Sequence, residues 1–151
     1  MTLSVADRLE LSDLVHRYAA GVDARRIDDV AELFTGTAVL TMPAPPEVLG
    51  PHIRHDGPDG VRTAMASLAD VLRTQHAIVG EVYARIDDDA ATGSIAGIAH
   101  HWIEKDGRLI DLIWHLRYAD RYLRTDRGWR FAERALSIDA IATQPVRTVR
   151  R

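Results

Sequence analysis

The chain has 151 residues, of which 46% are hydrophobic and 27% charged, as expected for one globular domain spanning residues 1–151 with its own core. Its formal net charge of −3 provides no basic face for nucleic acid, and the one basic cluster, residues 147–151, is a short terminus. The absence of cysteine excludes disulfides, thiolate nucleophiles and zinc–sulfur sites.

The sequence gives no sign of membrane association or export. No apolar run approaches the roughly 20 residues that a membrane-spanning helix needs. Residues 1–7 lack the basic start and the apolar core of a signal peptide. We therefore expect a soluble, cytoplasmic protein that has neither a membrane nor a nucleic acid as a partner.

The first predicted element is an amphipathic helix of about 18 residues that ends near Asp23. Ser4 is a candidate N-cap. The apolar residues that recur at helical spacing are Val5, Leu9, Leu14, Val15 and Tyr18. Gly21 loosens the C-terminal end of this helix, where Asp23 adds one carboxylate to an apolar run.

Residues 28–58 are predicted to contain a short helix, a strand and a long irregular segment. The helix is capped at residues 28–29 and continues through Phe34, and the strand covers residues 38–42. Residues 43–58 contain five prolines, so we expect a loop of the kind that forms a lid or a pocket rim. A third helix follows, with buried positions at Val61, Met65, Leu68 and Leu72.

From residue 74 onward the apolar period changes from helical to two, which predicts four strands separated by turn-forming residues. These strands are predicted at residues 74–86, 91–104, 108–124 and 128–138. Three successive hairpins make an antiparallel meander, and the N-terminal helices must cover its apolar face. The predicted fold is α+β, a strongly bent antiparallel sheet packed on three helices, with residues 139–151 as a C-terminal tail.

Alternation along the predicted strands indicates which side chains share the concave, mostly apolar face of the sheet. His76 and Ile78 lie on one face of the first meander strand, and His115 lies in the middle of the third strand. Our working hypothesis is that both imidazoles face one pocket, where Asp23 orients and charges a histidine base. A one-residue bulge would reverse either face.

Arg117 and the adjacent histidines His100 and His101 have more than one interpretation. Arg117 shares its strand face with His115, and it could neutralise an acidic group on a ligand or pair with a buried carboxylate. His100 and His101 point to opposite faces of their strand, so they are poor chelators as a pair. A metal site built from His76, His101 and His115 is an alternative, but we expect neither a metal nor a cofactor.

Two motifs point to a known family. The first helix ends in Arg-Tyr-Ala-x-x-x-Asp at residues 17–23, and the last predicted strand opens with Gly-Trp-Arg-Phe at residues 128–131. With the order of elements, these motifs make residues 5–138 resemble the SnoaL-like branch of the nuclear-transport-factor-two-like superfamily. The resemblance implies a cone, in which a curved antiparallel sheet wraps round three helices and holds the pocket in its mouth. It also implies a homodimer or higher homo-oligomer.

The resemblance is greatest to scytalone dehydratase, and it implies three catalytic residues. The catalytic aspartate of that enzyme matches Asp23. One active-site histidine lies in a Leu-Arg-Thr-Gln-His string identical to residues 72–76, and so matches His76. A second histidine, counted back from the Trp-x-Phe-Ala run at residues 129–132, matches His115. Hexachlorocyclohexane dehydrochlorinase and bile acid dehydratase share the same aspartate and the first histidine.

The same resemblance implies the remaining pocket residues. Tyr18 matches a catalytic tyrosine of bile acid dehydratase. Val22 and Met42 replace the two tyrosines that hold the substrate carbonyl in scytalone dehydratase, so we expect a more apolar pocket. The residues expected to contact the substrate are Val22, Met42, Ile78, His101 and Arg117. Tyr18 and Asp23 lie about 140° apart on an ideal helix, so they meet only if it unwinds near Gly21.

The expected function is that of a cofactor-free acid–base lyase (dehydratase), or an isomerase or cyclase. Its substrate would be a medium-sized apolar molecule, including polycyclic ones of the polyketide or steroid type. An imidazole exchanges protons near neutral pH, and such general acid–base help contributes roughly 10²- to 10⁴-fold in rate. One alternative is a non-catalytic small-molecule-binding or dimerisation domain, with a filled pocket and histidines distant from Asp23. Another is an epoxide hydrolase, which uses an Asp-Arg-Asp set.

Overall fold

The computed structural model of the protein describes residues 2–151, which form three α-helices and one six-stranded sheet. The helices are α1 (Val5–Asp23), α2 (Ile27–Ala31) and α3 (Gly57–Met65), and a short 3₁₀ helix (Ala66–Asp70) continues α3. The strands are β1 (Phe34–Ala44), β2 (Val48–Asp56), β3 (Arg73–Arg85), β4 (Ala90–Lys105), β5 (Arg108–Thr125) and β6 (Gly128–Pro145).

The six strands form a curved, unclosed sheet in the order β2-β1-β6-β5-β4-β3. Strands β3 to β6 pair in sequence and antiparallel, as the predicted meander requires. Strand β1 joins β6 in parallel, and β2 pairs antiparallel with β1 at the edge of the sheet. One core joins the helices to the inner face of this sheet, so the predicted α+β architecture is confirmed.

Helix α1 runs beneath the sheet and is regular as far as Asp23. The side chain of Ser4 accepts a hydrogen bond from the Asp7 N–H at 3.0 Å and caps the helix as predicted. The helix does not unwind at Gly21, which was the stated condition for Tyr18 and Asp23 to meet at one pocket. A Cβ at this position would lie 2.7 Å from a methyl group of Val30, so the glycine allows α2 to pack closely against α1.

The polar and apolar faces of α1 also differ from the sequence prediction at its first turns. Val5 and Leu9 were expected on the buried stripe, but they are 75% and 67% exposed. The buried residues of the helix are Leu11, Leu14, Val15, Tyr18, Ala19, Gly21 and Val22. Among the helices of residues 2–151, none combines the length and the apolar character needed to cross a membrane.

Most of residues 43–58 form regular structure, which corrects the predicted loop. Strand β1 begins at Phe34, where a helix was predicted to continue, and the β1–β2 hairpin turns at residues 45–47. Pro51 lies within β2. A proline lacks the N–H that a central strand needs, but β2 is an edge strand with one unpaired side, so it can accommodate Pro51.

The last strand is longer than the sequence predicted. Residues 139–145, assigned to a tail, continue β6 to Pro145 and pair with β5 as far as Ile110. The backbone N–H of Val146 then donates to the Leu109 carbonyl at 3.1 Å. Residues 139–145 are mostly exposed and lack an apolar stripe, so their backbone pairing left no hydrophobic pattern in the sequence.

A β-bulge at Val79 reverses the side-chain alternation of β3. Ile78 pairs with Gly97 and Gly80 pairs with Ala96, which leaves Val79 as the extra residue. Beyond the bulge the inward positions are odd-numbered, so Tyr83 is buried while Val82 is exposed. His76 precedes the bulge and keeps its predicted inward orientation.

A buried ion pair connects β5 and β6 in the core. The Nε and Nη2 atoms of Arg134 donate to the Asp120 carboxylate at 2.9 and 3.1 Å, and both side chains are fully buried. The Tyr122 hydroxyl donates to the same carboxylate at 2.7 Å. The Arg134 guanidinium lies over the rings of Tyr18 and Tyr118, at 4.3 and 3.7 Å from their centroids. Burial alone would lower the pKa of Arg134, but the Asp120 carboxylate outweighs it and raises that pKa.

We expect Arg134→Met to reduce the free energy of unfolding by about 3–5 kcal/mol, because it leaves the Asp120 carboxylate buried without its cation. Arg117→Met is the matched control, since Arg117 pairs with Asp139 on the exposed face at 2.8 Å. The control should cost less than about 1 kcal/mol. Urea unfolding curves at neutral pH measure both changes, and equal losses in the two variants would contradict the prediction.

Candidate functional site

A cavity of about 250 Å³ lies between the helices and the inner face of the sheet. Its apolar wall includes Val22, Met42, Met65, Leu68, Trp114 and Leu136. The polar side chains that reach it are Tyr18, Ser67, His76, His101 and Tyr118. An apolar, concave cavity with a few converging polar groups is the usual form of a small-molecule site.

Asp23 and His76 are in direct contact beside this cavity. Asp23 is the last residue of α1, and His76 lies near the start of β3. The Nδ1 atom of His76 is 2.7 Å from Oδ1 of Asp23, and the backbone N–H of His76 donates to Oδ2 at 2.9 Å. Because a carboxylate only accepts hydrogen bonds, Nδ1 carries the proton, and Nε2 is the ring nitrogen free to meet a ligand.

The Asp23 carboxylate is charged at neutral pH. Burial raises its pKa, but the hydrogen bonds from the ring and backbone of His76 and from the Thr74 hydroxyl outweigh burial, so the net pKa is lowered. The side chain of Asp23 is 25% exposed and that of His76 11%. A carboxylate held in this way fixes the imidazole tautomer and stabilises the imidazolium that forms when His76 accepts a proton.

Two residues that the sequence analysis missed, Arg25 and Thr74, hold the carboxylate in place. The buried Thr74 hydroxyl donates to Oδ1 of Asp23 at 2.9 Å. Arg25 donates to the Thr74 hydroxyl at 2.9 Å and to the Val22 carbonyl at 2.8 Å. Thr74 is two residues before His76, so strand alternation could have identified it. Arg25 has a φ of 59°, a conformation uncommon outside glycine, and the sequence carried no signal for it.

His115 does not face the pocket, which corrects the predicted trio. In the strand register His76 lies beside Ala99, which lies beside Trp114, so Trp114 is the inward residue of β5. His115 is exposed on the outer face. The count that assigned it crossed the β5–β6 turn, and a register cannot be fixed from one strand alone.

His101 occupies the position beside His76 that was expected for His115. The two imidazole centroids are 6.1 Å apart, and the indole of Trp114 is 4.6 Å from the His101 ring. The His101 Nδ1 atom lies 2.9 Å from the Leu112 carbonyl, which only accepts, so Nδ1 carries the proton. Burial lowers the pKa of His101, the Leu112 bond partly offsets this, and the nearby His76 lowers it further. His101 is therefore neutral at pH 7 and presents Nε2 as an acceptor.

Three hydrogen-bond donors border the cavity. Burial raises the pKa values of Tyr18 and Tyr118, so both phenols remain protonated. The buried indole Nε1 of Trp114 has no hydrogen-bond partner among residues 2–151. Tyr18 was among the predicted site residues, and it lines the cavity directly. Asp23 does not line the cavity and is connected to it through the hydrogen bond with His76. Tyr118 and Trp114 were missed because their inward orientation depends on the register of β5.

The predicted substrate-contacting residues divide into two groups. Val22, Met42 and His101 line the cavity. Ile78 packs against the core without lining the cavity, and Arg117 is exposed on the outer face, where it pairs with Asp139. These positions correct the predictions for Ile78 and Arg117. Within residues 2–151, no group of three or more histidine or acidic side chains is arranged to hold a metal ion.

Comparison with known proteins gives one family. The family model for the SnoaL-like domain matches residues 3–135. The uncharacterized protein Rv2910c of Mycobacterium tuberculosis is 25% identical over 130 residues, which cover 86% of this chain and 84% of that protein. The crystal structure of Kfla4162 from Kribbella flavida is similar with a TM-score of 0.78 and 26% identity, covering 91% of this chain and 93% of its own.

Two further solved structures, both named as enzymes, share the fold at lower sequence identity. A provisionally assigned scytalone dehydratase from Novosphingobium aromaticivorans has a TM-score of 0.80 and 17% identity, over 95% of this chain and 91% of its own. The hexachlorocyclohexane dehydrochlorinase LinA-type3 from Novosphingobium barchaimii has a TM-score of 0.77 and 17% identity, over 98% and 100%. At this identity the likeness establishes the fold alone.

We expect His101 to titrate below the ordinary histidine value of 6.5, because the folded protein disfavours its charged form. The unfolded chain then binds this proton more readily, so His101 lowers the stability of the fold as pH falls through 6.5 and has no effect well above it. Histidine ring NMR shifts followed from pH 8 to pH 5 measure the midpoint. A midpoint at or above 6.5 would disprove the burial argument.

We expect Thr74→Val to raise the pKa of Asp23 toward its ordinary value, because Oδ1 loses one of its two hydrogen bonds. The lowered pKa of Asp23 stabilises the fold above the pKa of the unfolded carboxyl group, and this contribution is lost as pH falls through the folded value. Carboxyl ¹³C shifts during an acid titration measure the change. Thr74→Ser keeps the hydroxyl and is the control; the same shift in both variants would exclude the bond as its cause.

Proposed function

Because the chain belongs to the SnoaL-like domain family, we propose that it is a cofactor-free lyase that removes water from a medium-sized, apolar β-hydroxy ketone. The observation that carries this proposal is the 2.7 Å contact between Asp23 and His76 beside an apolar cavity. The contact supplies a base with a fixed tautomer, and the cavity supplies a water-poor site for an uncharged substrate.

The proposed first step removes a proton from the carbon next to the ketone. His76 Nε2 accepts this proton, and Asp23 stabilises the resulting imidazolium through Nδ1. Negative charge then develops on the ketone oxygen. The phenols of Tyr18 and Tyr118 and the indole N–H of Trp114 are the donors available to this oxygen.

The second step expels the β-hydroxyl group. The carbon–oxygen bond breaks as the enolate re-forms the ketone, and the leaving oxygen takes the proton from His76 to give water. His76 returns to its neutral form, so no external acid is required. The neutral His101 has its Nε2 lone pair available to accept a hydrogen bond from the β-hydroxyl group and to orient it before it leaves.

The size and lining of the cavity favour an uncharged substrate with one ring or two fused rings. Its volume of about 250 Å³ lies slightly below the usual range for drug-sized ligands, and most of its wall is apolar. An anionic substrate would meet the Asp23 carboxylate beside the cavity, with no lysine or arginine side chain lining the wall. The dehydratase and dehydrochlorinase named among the structural relatives are both, by name, enzymes of elimination.

A non-catalytic binding domain is less well supported. That alternative predicts a pocket filled by side chains and histidines that lie too far from Asp23 to form a hydrogen bond with it. The cavity and the Asp23–His76 distance of 2.7 Å argue against both expectations. A cytoplasmic location and a homodimer or higher homo-oligomer stay predictions from the sequence.

The proton-removal step is tested with 1-tetralone in D₂O, by NMR detection of exchange at the carbon next to the ketone. Asp23→Asn and His76→Ala should each slow exchange by about 10²- to 10⁴-fold, the range for loss of general acid–base help. His115→Ala removes an exposed histidine from the outer face and should keep the wild-type rate. Wild-type rates in Asp23→Asn and His76→Ala, both folded by circular dichroism, would refute the mechanism.

The elimination step is tested separately with 3-hydroxy-1-tetralone, which yields fluorescent 1-naphthol after loss of water and tautomerisation. We expect wild-type protein to release 1-naphthol and Asp23→Asn to lose this activity by a similar factor. Exchange without elimination would refute the dehydratase assignment and favour an isomerase that uses the same base.

A further inference from the structure

A second cavity, of about 350 Å³, lies on the outer face of the sheet, and Thr74 is the lining residue that it shares with the hydrogen-bond network of Asp23. Its walls come from the start of β3, the end of β4 and the C-terminal residues 148–150. The residues that line it are Arg73, Thr74, Gln75, Trp102, Thr148, Val149 and Arg150. We call this cavity the outer groove.

The register of β3 and β4 explains why these side chains meet. Arg73 pairs with Trp102, and Gln75 pairs with His100. Thr74 points inward to Asp23, so its neighbours Arg73 and Gln75 point outward. His101 is likewise inward, so His100 and Trp102 are outward. Arg73, Gln75 and Trp102 therefore share the outer side of the groove with the C-terminal residues 148–150, and His100 lies next to them.

The groove carries two uncompensated positive charges. Within residues 2–151, neither Arg73 nor Arg150 has an ion pair with a carboxylate. The neighbouring Arg151, in contrast, pairs with Glu104 at 3.1 Å. Two guanidinium groups without partners at one cavity favour an anion, and their planar donor sets suit a carboxylate.

One aromatic side chain, Trp102, lines the groove, and a neighbouring ring outside the groove stacks on it. The indole of Trp102 lies nearly parallel to the His100 imidazole, at an angle of 11° and a centroid distance of 5.8 Å. His100 is held by Asp111, whose Oδ2 is 2.7 Å from Nδ1. Asp111 is 2% exposed, and its second oxygen, Oδ1, has no hydrogen-bond partner in residues 2–151.

The Asp111–His100 pair therefore orients a ring on the outer face much as Asp23 orients His76 on the inner face. The buried carboxylate only accepts, so His100 carries a proton on Nδ1 and directs Nε2 away from it. No part of the proposed elimination uses this pair. The pair borders the outer groove without lining it, and its role there is to hold the ring on which Trp102 stacks.

We propose that the outer groove is a second ligand site, which binds a flat aromatic carboxylate. The carboxylate lies between Arg73 and Arg150, and the aromatic ring packs on Trp102. Charge selects the acid over its neutral analogues, and the indole selects a ring over a small inorganic anion. The site is independent of the proposed lyase activity.

The test uses 2-naphthoate as the probe, followed by ¹⁵N NMR of the three indole N–H groups of the protein. Trp102→Phe assigns the Trp102 signal, and Trp114 reports on the inner cavity. We expect 2-naphthoate to shift the Trp102 signal in a saturable way. A saturable shift confined to Trp114 would mean binding in the inner cavity and would overturn the proposal.

Matched variants and probes test the charge and the ring separately. Arg73→Ala with Arg150→Ala should weaken 2-naphthoate binding by at least about tenfold, since charge-assisted hydrogen bonds are lost. Arg147→Ala, which removes an exposed arginine of the same segment that does not line the groove, should leave binding unchanged. An equal loss of 2-naphthoate affinity in the double variant and in Arg147→Ala would mean that only the overall charge of the protein matters. That result would overturn the proposed site.

The neutral 2-naphthamide and inorganic phosphate complete the test. Both should bind at least about tenfold more weakly than 2-naphthoate, since each lacks either the charge or the ring. If 2-naphthamide bound as tightly as 2-naphthoate, the arginines would not contribute to recognition. If phosphate bound as tightly as 2-naphthoate, Trp102 would not contribute. Either result would overturn the assignment of an aromatic carboxylate.

Discussion

The contact between the end of α1 and the start of β3 is the constraint on which the candidate site depends. Asp23 accepts hydrogen bonds from the ring and the backbone of His76 and from the Thr74 hydroxyl, so one carboxylate joins the helix to the sheet. Because the backbone bond fixes where β3 passes the helix, the position of the imidazole follows from the main chain. The helix must also end at this residue, and the close packing of α2 at Gly21 helps to fix that end.

Two tyrosines that line the cavity connect the candidate site to the stability of the fold. Tyr18 from α1 and Tyr118 from β5 line the cavity with one part of their side chains, and their rings contact the buried Arg134 guanidinium. Asp120 neutralises that charge at full burial. The two phenols are thus held between an apolar cavity and a buried ion pair, which restricts their rotamers. Burial raises the pKa of both phenols and outweighs the opposing effect of the Arg134 charge, so they stay protonated. Loss of the ion pair would disturb donors of the site as well as the core.

The sequence predicted local features better than long-range ones. Helix α1, the four-stranded meander and the candidate partners Asp23 and His76 could all be identified, because helical period, strand alternation and motifs are local. The position of His115 could not, since it depends on the register between β4 and β5. The same is true of Tyr118 and Trp114. The bulge at Val79 changes the inward face within a single strand, and nothing in the neighbouring residues signals it.

Strand alternation gives residues 73–76 two separate roles. Thr74 and His76 point to the inner side and contact the anionic Asp23 carboxylate, beside a cavity whose wall carries no lysine or arginine side chain. Arg73 and Gln75 face the outer groove, which has two unpaired guanidinium groups. The inner surface therefore favours an uncharged ligand and the outer surface an anion, although one strand separates them. Under the two proposals, the charge of a small molecule would decide which face of the sheet it meets.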